Sequence, residues 1–451
     1  MAAYDGQQVV VVGAGRTGLA LTAFFLGRGA RVVLSDSRSA ADRPELAALA
    51  ARGVTLDCGG HNPELFVAAD LIAISPGVPL TLPAIVAARQ QGVPVLGEIE
   101  IACRELTAPL VAVTGTNGKS TTTCLLGEVF HSWGKKSFVG GNLGTPLIEA
   151  VDEQWDWLLA ELSSFQLEAI DTFRPRYGLL LNLSPDHLDR YPDMAAYLAA
   201  KQQLFLNMAD GDVAVLNGDD PQVLALAESA PCRKVLFSSS SQLDEGMSLV
   251  GGELVWRWAG QETRFSAGQL QLCGSHNLEN VMAALIPPLL EGCPAEIAWA
   301  AVCAFGGLEH RMVRVRELDG VVWYNDSKGT NVGSVVKSLA GLEAPVTLIA
   351  GGRDKGGDYA PLAEAAAGKV ALSILIGEAA ERLEKSFQGK VITQRAATLE
   401  EAVLLAHQMT PCGGSVLLSP ACSSFDMFSS YTERGEAFVK AVNQLPAKGE
   451  G

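Results

Sequence analysis

The chain has little that would tie it to an oxidising compartment, a membrane or nucleic acid. Its nine cysteines are an odd number, include no C-x-x-C pair, and lie scattered from Cys58 to Cys422. That excludes an evident disulfide framework or zinc ribbon and leaves reduced, buried thiols as the simplest reading. No apolar, uncharged stretch reaches the roughly 18 residues of a membrane span. The opening MAAYDGQQVVVVG has no basic region, and its apolar run ends in a glycine turn too soon for a signal peptide, so a cytoplasmic protein is expected. Basic residues are outnumbered, 34 Lys and Arg against 50 Asp and Glu, for a net charge of −16. Such a chain lacks the basic face that non-specific nucleic-acid binding needs. Anionic small molecules stay open as ligands, because screening over about 8 Å lets a few local cations or a metal outweigh a distant acidic surface. Aromatics are only 6% of the residues, so the core must come mainly from Ala, Val, Leu and Ile.

What is present is length, glycine and alternation. At 451 residues with 47 Gly, the chain is too long for one ordinary core, and three domains are expected. Short apolar runs alternate with amphipathic helices, the pattern of parallel sheets. Strands are expected near residues 9–12, 31–35, 71–74 and 93–96, with helices near 19–26, 45–51 and 84–91. A second series has strands near 110–113, 157–162, 177–183 and 213–216, and a hairpin at 247–258 around Gly251 and Gly252. Its helices begin at Ser120 and cover 194–208, 277–290 and 295–304. A third has strands near 321–324, 346–349, 371–376 and 416–419 and a last helix near 433–442. The fold class is therefore α/β, with three consecutive α/β domains at 1–98, 99–307 and 308–451. Gly306 and Gly307 mark a hinge.

The run Thr114-Gly115-Thr116-Asn117-Gly118-Lys119-Ser120-Thr121 lies between a buried strand and a helix. Glycines let backbone N–H groups close on phosphates, and the helix N-terminus adds partial positive charge. Lys119 can reach the β- and γ-phosphates of ATP, and the Ser120 or Thr121 hydroxyl can ligate Mg²⁺. Val113 stands where the usual phosphate-loop motif has its first glycine. The bland alternative is an ordinary strand-to-helix turn.

Gly13-Ala14-Gly15-Arg16-Thr17-Gly18 fits G-x-G-x-x-G after a strand, with Asp36 at the end of the next. Alone it suggests NAD. A purely structural turn and a diphosphate site for another nucleotide are the alternatives.

Glu161 ends a predicted strand, where a carboxylate can hold the Mg²⁺ that bridges ATP phosphates. His187, one of six His, follows another strand end with Asp186 and Asp189 on either side, which favours function over a structural role. Nothing local distinguishes Lys201 from a solvated helix lysine. In the third domain, loops 323–331 and 349–357 sit at carboxyl ends of predicted strands, where anionic ligands bind. Arg311 follows the hinge, from which it could reach a γ-phosphate once domains close.

In order along the chain stand GTNGKST, ELSSFQLE, NLSPDHLDRYP, HNLEN, GLEHR, NDSKGTN, GGRDKGGD and LSPACSSFDMF. Each is modest alone, but the ordered set over the whole length resembles the Mur ligase family, which departs from the usual phosphate loop in the same way. The resemblance implies a Rossmann-like N-terminal domain, a P-loop-type central ATPase domain and a Rossmann-like C-terminal domain. It is nearest to the members that add D-glutamate to UDP-N-acetylmuramoyl-L-alanine, and it implies a cytoplasmic, monomeric enzyme using ATP and two Mg²⁺. The first turn then holds UDP, with Arg16, Thr17, Asp36, Ser37, Arg38, Gly77 and Asn142 matching substrate contacts. Residues Gly115 to Thr121, Asn277, Asn280, Arg311 and Asp326 match ATP positions. Ser120 and Glu161 match the first metal site, and His187 and Lys201 the second, the lysine being carbamylated in the family. His187, Thr330, Lys355, Ser424 and Tyr431 match D-glutamate contacts, Tyr431 standing where Phe is usual. Lys119, His187, Lys201 and Arg311 are the catalytic candidates. The rivals are sister ligases adding another amino acid, the more distant folylpolyglutamate synthases, an NAD-linked oxidoreductase and a regulatory NTPase.

Overall fold

Valine-rich runs form the centre of the first sheet. The computed structural model describes residues 4–447 apart from Leu188, Asp189 and Cys273. Asp189, one of the carboxylates noted beside His187, and Cys273 therefore lie outside the described residues. Strands β1 (Gln8–Val12), β2 (Arg31–Asp36), β3 (Thr55–Cys58), β4 (Leu71–Ile74) and β5 (Val95–Gly97) make an all-parallel sheet in the order β3-β2-β1-β4-β5. Val9 to Val12 are fully buried, as expected for a parallel strand covered on both faces. Strand order reverses at β1, which opens a crevice beyond the carboxyl ends of β1, β2 and β4.

The second sheet has nine strands: β6 (Leu110–Thr114), β7 (Ser137–Gly141), β8 (Trp157–Glu161), β9 (Tyr177–Leu180), β10 (Val213–Asn217), β11 (Arg233–Ser238), β12 (Gly246–Val250), β13 (Glu253–Trp258) and β14 (Gln261–Ser266). Their order is β14-β13-β12-β11-β10-β9-β6-β8-β7. The strands from β7 across to β12 run parallel; β12, β13 and β14 are antiparallel neighbours, and the β12–β13 turn is the hairpin at Gly251 and Gly252. Register pairs Val113 with Glu161 and Thr114 with Leu180. The start of the phosphate loop thus lies beside the ends of both neighbouring strands.

The third sheet comprises β15 (Val313–Leu318), β16 (Val321–Asn325), β17 (Val346–Gly351), β18 (Val370–Ile376), β19 (Ile392–Arg395) and β20 (Ser415–Leu418), in the order β15-β16-β20-β17-β18-β19. Only β15 is antiparallel to its neighbour. Apolar clusters pack on both faces, one around Leu348, Leu362 and Leu417, the other around Trp323, Ile374 and Phe438.

Two compact units emerge. One comprises Met1–Asn182, Tyr197–Ala267 and Glu279–Val302 and holds the first two sheets; the other comprises Leu183–Ala196, Gly268–Leu278 and Cys303–Gly451 and holds the third. Two of the expected elements end early. The helix expected to reach Met208 runs Met194–Gln202 and then tightens into a 3₁₀ turn at Gln203–Phe205. Strand β9 stops at Leu180, which releases Asn182 for another task described below. No helix among the described residues is long and apolar enough to cross a membrane, and the eight described cysteines are free.

Candidate functional site

Sterics dictate the first glycine-rich turn. Gly13 has φ +93°, and a Cβ on Gly18 would stand 1.7 Å from the Gly13 carbonyl oxygen. A Cβ on Gly15 would meet nothing within 4 Å, so the backbone there is open to a ligand. The helix Arg16–Gly27 starts without a side-chain cap, which leaves its first N–H groups available to an anion. Arg16, Thr17, Asp36, Ser37, Arg38, Gly77 and Asn142 all line one cavity of ≈ 530 Å³, which His61 and Ser75 also line. Asp36 is not an open acceptor in it. Its Oδ2 accepts from Ala14 N–H at 2.7 Å, and its Oδ1 accepts from Arg38 N–H at 2.8 Å and Arg38 Nε at 3.1 Å. Burial works to raise the Asp36 pKa, but these bonds outweigh it and hold the carboxyl at about 2. Asp36 thereby ties the turn to β2.

The second turn is the candidate phosphate loop. Gly115 and Gly118 have φ of +145° and +87°, and a Cβ on Gly118 would lie 2.2 Å from Asn280 Oδ1. Gly118 precedes the uncapped N-terminus of the helix Lys119–Ser132. Asn182, just past β9, clamps the loop: its Oδ1 accepts from Asn117 N–H at 2.8 Å, its Nδ2 donates to Asn117 O at 3.0 Å, and its carbonyl accepts from Thr116 N–H at 2.9 Å. Lys119 Nζ donates to Gly115 O at 2.9 Å and Thr116 O at 2.7 Å. Lys201 is buried, not solvated. It is 1% exposed, donates to Gly115 O at 2.9 Å and Thr114 Oγ1 at 3.3 Å, and lies over the Tyr197 ring.

Ser120 Oγ donates to Glu161 Oε2 at 2.6 Å, and Asn142 Nδ2 donates to Glu161 Oε1 at 2.7 Å. Thr121 Oγ1 is buried without a hydrogen-bond partner among the described residues. A hydroxyl beside a held carboxylate is a hard oxygen donor pair that fits Mg²⁺. No group of three His, Cys, Asp or Glu side chains suited to a metal occurs among the described residues. A metal that completes its shell with phosphate oxygens and water requires no such group. Asn280 is buried on the helix Ser275–Leu290, and Asn277 lies in that helix's first turn.

In the other unit, His187, Thr330 and Lys355 line a cavity of ≈ 270 Å³ with Asp186, Asn331 and Tyr359. Asp186 organises it. Its Oδ1 accepts from His187 N–H at 3.0 Å and lies 3.4 Å from Lys355 Nζ; its Oδ2 accepts from Asn331 Nδ2 at 3.2 Å and lies 3.7 Å from His187 Nε2. His187 has φ +56°, a left-handed backbone conformation uncommon for a non-glycine residue. Ser424, which is buried, and Tyr431 do not line this cavity. Tyr431 instead meets Lys328, whose Nζ lies 3.4 Å from the phenol oxygen. Asp326 is 3% exposed, and its Oδ2 accepts from Ser338 and Ser419 hydroxyls at 2.7 and 2.6 Å. Burial pushes its pKa up despite those bonds. Arg311 Nε is buried with no hydrogen-bond partner among the described residues.

Sequence reasoning missed several organisers. Asp186 stands in the sequence only as a carboxylate flanking His187, and Asn182 only as part of a segment at a strand end. Arg434, 1% exposed, donates to Ser327, Cys422 and Ser423 oxygens and ties two loops to the last helix. It sits in the helix expected near 433–442, for which the sequence singles out no residue but Tyr431 just before it. His61 had no signal at all.

Known proteins supply the class. The Mur ligase middle domain matches residues 113–287, the N-terminal domain of MurD-like Mur ligases matches 7–97, and the Mur ligase glutamate ligase domain matches 310–422. The chain belongs to the Mur ligase family. It is 65% identical over 450 residues, covering 100% of both chains, to the UDP-N-acetylmuramoylalanine–D-glutamate ligase of Syntrophotalea carbinolica. It is 50% identical over 442 residues, 97% of this chain and 98% of the relative, to the enzyme of that name from Geotalea uraniireducens. Among solved structures, UDP-N-acetylmuramate-alanine ligase MurC of Thermotoga maritima shares the fold at a TM-score of 0.60 and 20% identity, over 97% of this chain and 99% of that one.

Proposed function

We propose that this protein is an ATP-dependent ligase that joins D-glutamate to UDP-N-acetylmuramoyl-L-alanine during peptidoglycan precursor synthesis. The full-length identity of 65% to a D-glutamate ligase carries the reading. Residues 1–98 take the UDP substrate through Arg16, Thr17, Asp36, Ser37, Arg38 and Gly77, and Asn142 of residues 99–307 lines the same cavity. Residues 99–307 take ATP on the phosphate loop, and residues 308–451 take the amino acid. Asn277, Asn280, Arg311 and Asp326 are further ATP residues. Thr330, Lys355, Ser424, Tyr431 and His187 serve D-glutamate. The enzyme acts as a cytoplasmic monomer.

A carboxylate resists amide formation because oxide is a poor leaving group. In the proposed reaction a carboxylate oxygen of the alanyl end attacks the γ-phosphorus of ATP, and ADP leaves. The amine of D-glutamate then attacks the acyl phosphate carbonyl, loses a proton, and the tetrahedral intermediate expels phosphate. Lys119 moves from loop carbonyls onto the phosphates and balances their charge, as does Arg311 with its unused Nε–H. Lys355 and Thr330 hold the amino acid's carboxylates, and Asp186 fixes Lys355 and His187. Mg²⁺ ions, for which Ser120, Glu161, His187 and carbamylated Lys201 are the candidate ligands, would neutralise charge on the transferring group. Carbamylation would turn the buried Lys201 into an anionic oxygen donor. The test is substrate labelled with ¹⁸O in its alanyl carboxylate. Transfer of one labelled oxygen to the released phosphate is expected; phosphate without label would contradict the acyl phosphate route.

A further inference from the structure

One chain of contacts ends on the wall of the first cavity and takes no part in the assignments above. Asp57 Oδ2 accepts from Ser35 Oγ at 2.7 Å and from Asn62 N–H at 3.1 Å. Ser35 Oγ also lies 2.8 Å from His61 Nδ1. Ser35 is completely buried on β2, Asp57 lies on β3, and register pairs the two directly. The His61 ring packs edge-on against Phe66, 6.0 Å between centroids, and the residue lines the cavity.

These contacts assign the protons. An ionised carboxylate only accepts, and a serine hydroxyl has a single proton to give. Since Asp57 Oδ2 also takes the Asn62 N–H, the Ser35 proton goes to Asp57. Ser35 Oγ then faces His61 Nδ1 with a lone pair, so Nδ1 carries the imidazole proton. In the neutral ring Nε2 is left as an acceptor. The location of His61 is equally specific. It follows β3 and stands with Asp36, Ser37 and Arg38 at the β2 side of the crevice. The uncapped helix N-terminus that suits a diphosphate follows β1. In this topology the diphosphate sits at the helix and the nucleoside extends toward β2. Asp36, the other acceptor there, is already engaged by Ala14 and Arg38.

We propose that His61, held by Asp57 and Ser35 with its Nε2 unprotonated, accepts a hydrogen bond from an N–H or O–H donor on the nucleoside of the UDP substrate and so helps to select that nucleoside. The proposal rests on the UDP assignment of this cavity. The two candidate donors are the imide N–H of the base and the ribose 2′-hydroxyl. Ser35 and Asp57 are positioning residues; His61 is the contact.

The test measures binding of UDP, N3-methyl-UDP and 2′-deoxy-UDP by calorimetry to the full-length protein, to His61→Phe, which preserves the ring packed on Phe66, and to Ser35→Ala. The parent is expected to bind UDP and to lose about tenfold for the analogue lacking the relevant donor, about the worth of one buried hydrogen bond. N3-methyl-UDP reports the imide and 2′-deoxy-UDP the ribose. His61→Phe is expected to bind UDP about tenfold more weakly and to show no discrimination against that analogue, with kcat unchanged and KM for the UDP substrate raised. Ser35→Ala should weaken UDP binding by a smaller factor, because the ring loses only its orientation. If UDP binds the parent and His61→Phe equally, or if both discriminate alike, the His61 inference is overturned while the UDP assignment stands. If UDP fails to bind the folded parent, both fall.

Discussion

Glu98 and Glu100 begin one helix and respond oppositely to pH. Glu98 Oε1 accepts from Ile148 N–H at 2.7 Å in a fully buried position, and burial drives its pKa from 4.5 up to about 7. Burial also works to raise Glu100, but bonds from Thr172, Asp171 and Arg104 prevail and bring it down to about 2. Between pH 4.5 and 7 the folded chain holds more protons at Glu98 than the unfolded chain does, so this residue's contribution to stability falls as pH rises through that window. Glu98→Gln keeps the acceptor for Ile148 and cannot ionise. It should be more stable than the parent at pH 8, by about 1–3 kcal/mol, and flatten the profile below pH 7. Urea midpoints at pH 5 and 8 decide it, and parallel profiles for the two proteins would contradict it. Glu100 has the opposite sign: its contribution is present above pH 4.5 and is lost as pH falls toward 2. At the proposed phosphate loop, Glu161→Ala removes the acceptor of both Ser120 and Asn142 and should lower kcat by about 10²–10³-fold with the fold intact, which circular dichroism beside steady-state kinetics checks. The clustering of Lys119, Ser120 and Glu161 was readable because they are contiguous in a strand-to-helix turn or end a strand. Asp186, Arg434 and His61 were not, because their partners, such as Lys355, Ser327 and Ser35, are far away in sequence.

At the scale of the element, close approach governs the turns. Gly18→Ala would drive a Cβ into the Gly13 carbonyl at 1.7 Å, so the helix Arg16–Gly27 must shift off β1. We expect a loss of about 2–4 kcal/mol, at the upper end of single-residue effects, together with weakened UDP binding. Gly15→Ala, with nothing within 4 Å, should leave stability nearly unchanged and weaken only the ligand. Equal effects of the two on the urea midpoint would contradict the account. The central strands were legible because burial on both faces demands continuous apolar runs, as in Val9 to Val12. The strands missed include β3 (TLDC), β14 (QETRFS) and β19 (ITQR), all at sheet edges. An edge strand is half solvated and carries polar residues, so its pattern merges with that of loops.

For the molecule as a whole, three parallel-rich sheets were legible from alternation alone. The grouping of Leu183–Ala196 and Gly268–Leu278 with the third sheet was not. That grouping depends on contacts between residues distant in sequence, which local patterning does not encode. The proposed assignment of separate nucleotide sites to the first and second sheets has a thermodynamic consequence. ATP with Mg²⁺ and the UDP substrate should each raise the melting temperature when added alone, each by about 2.7 kcal/mol of stability at a hundredfold excess over its dissociation constant. Thermal shift with each ligand checks this, and competition between the two for one shift would contradict two sites.

The central claim is the ligation itself. The direct measurement is phosphate released from ATP and Mg²⁺ in the presence of UDP-N-acetylmuramoyl-L-alanine, with L-alanine, D-glutamate, L-glutamate and meso-diaminopimelate supplied in turn. The account predicts release with D-glutamate alone, matched mole for mole by the amide product. Release with a different amino acid, or with none needed, would contradict it.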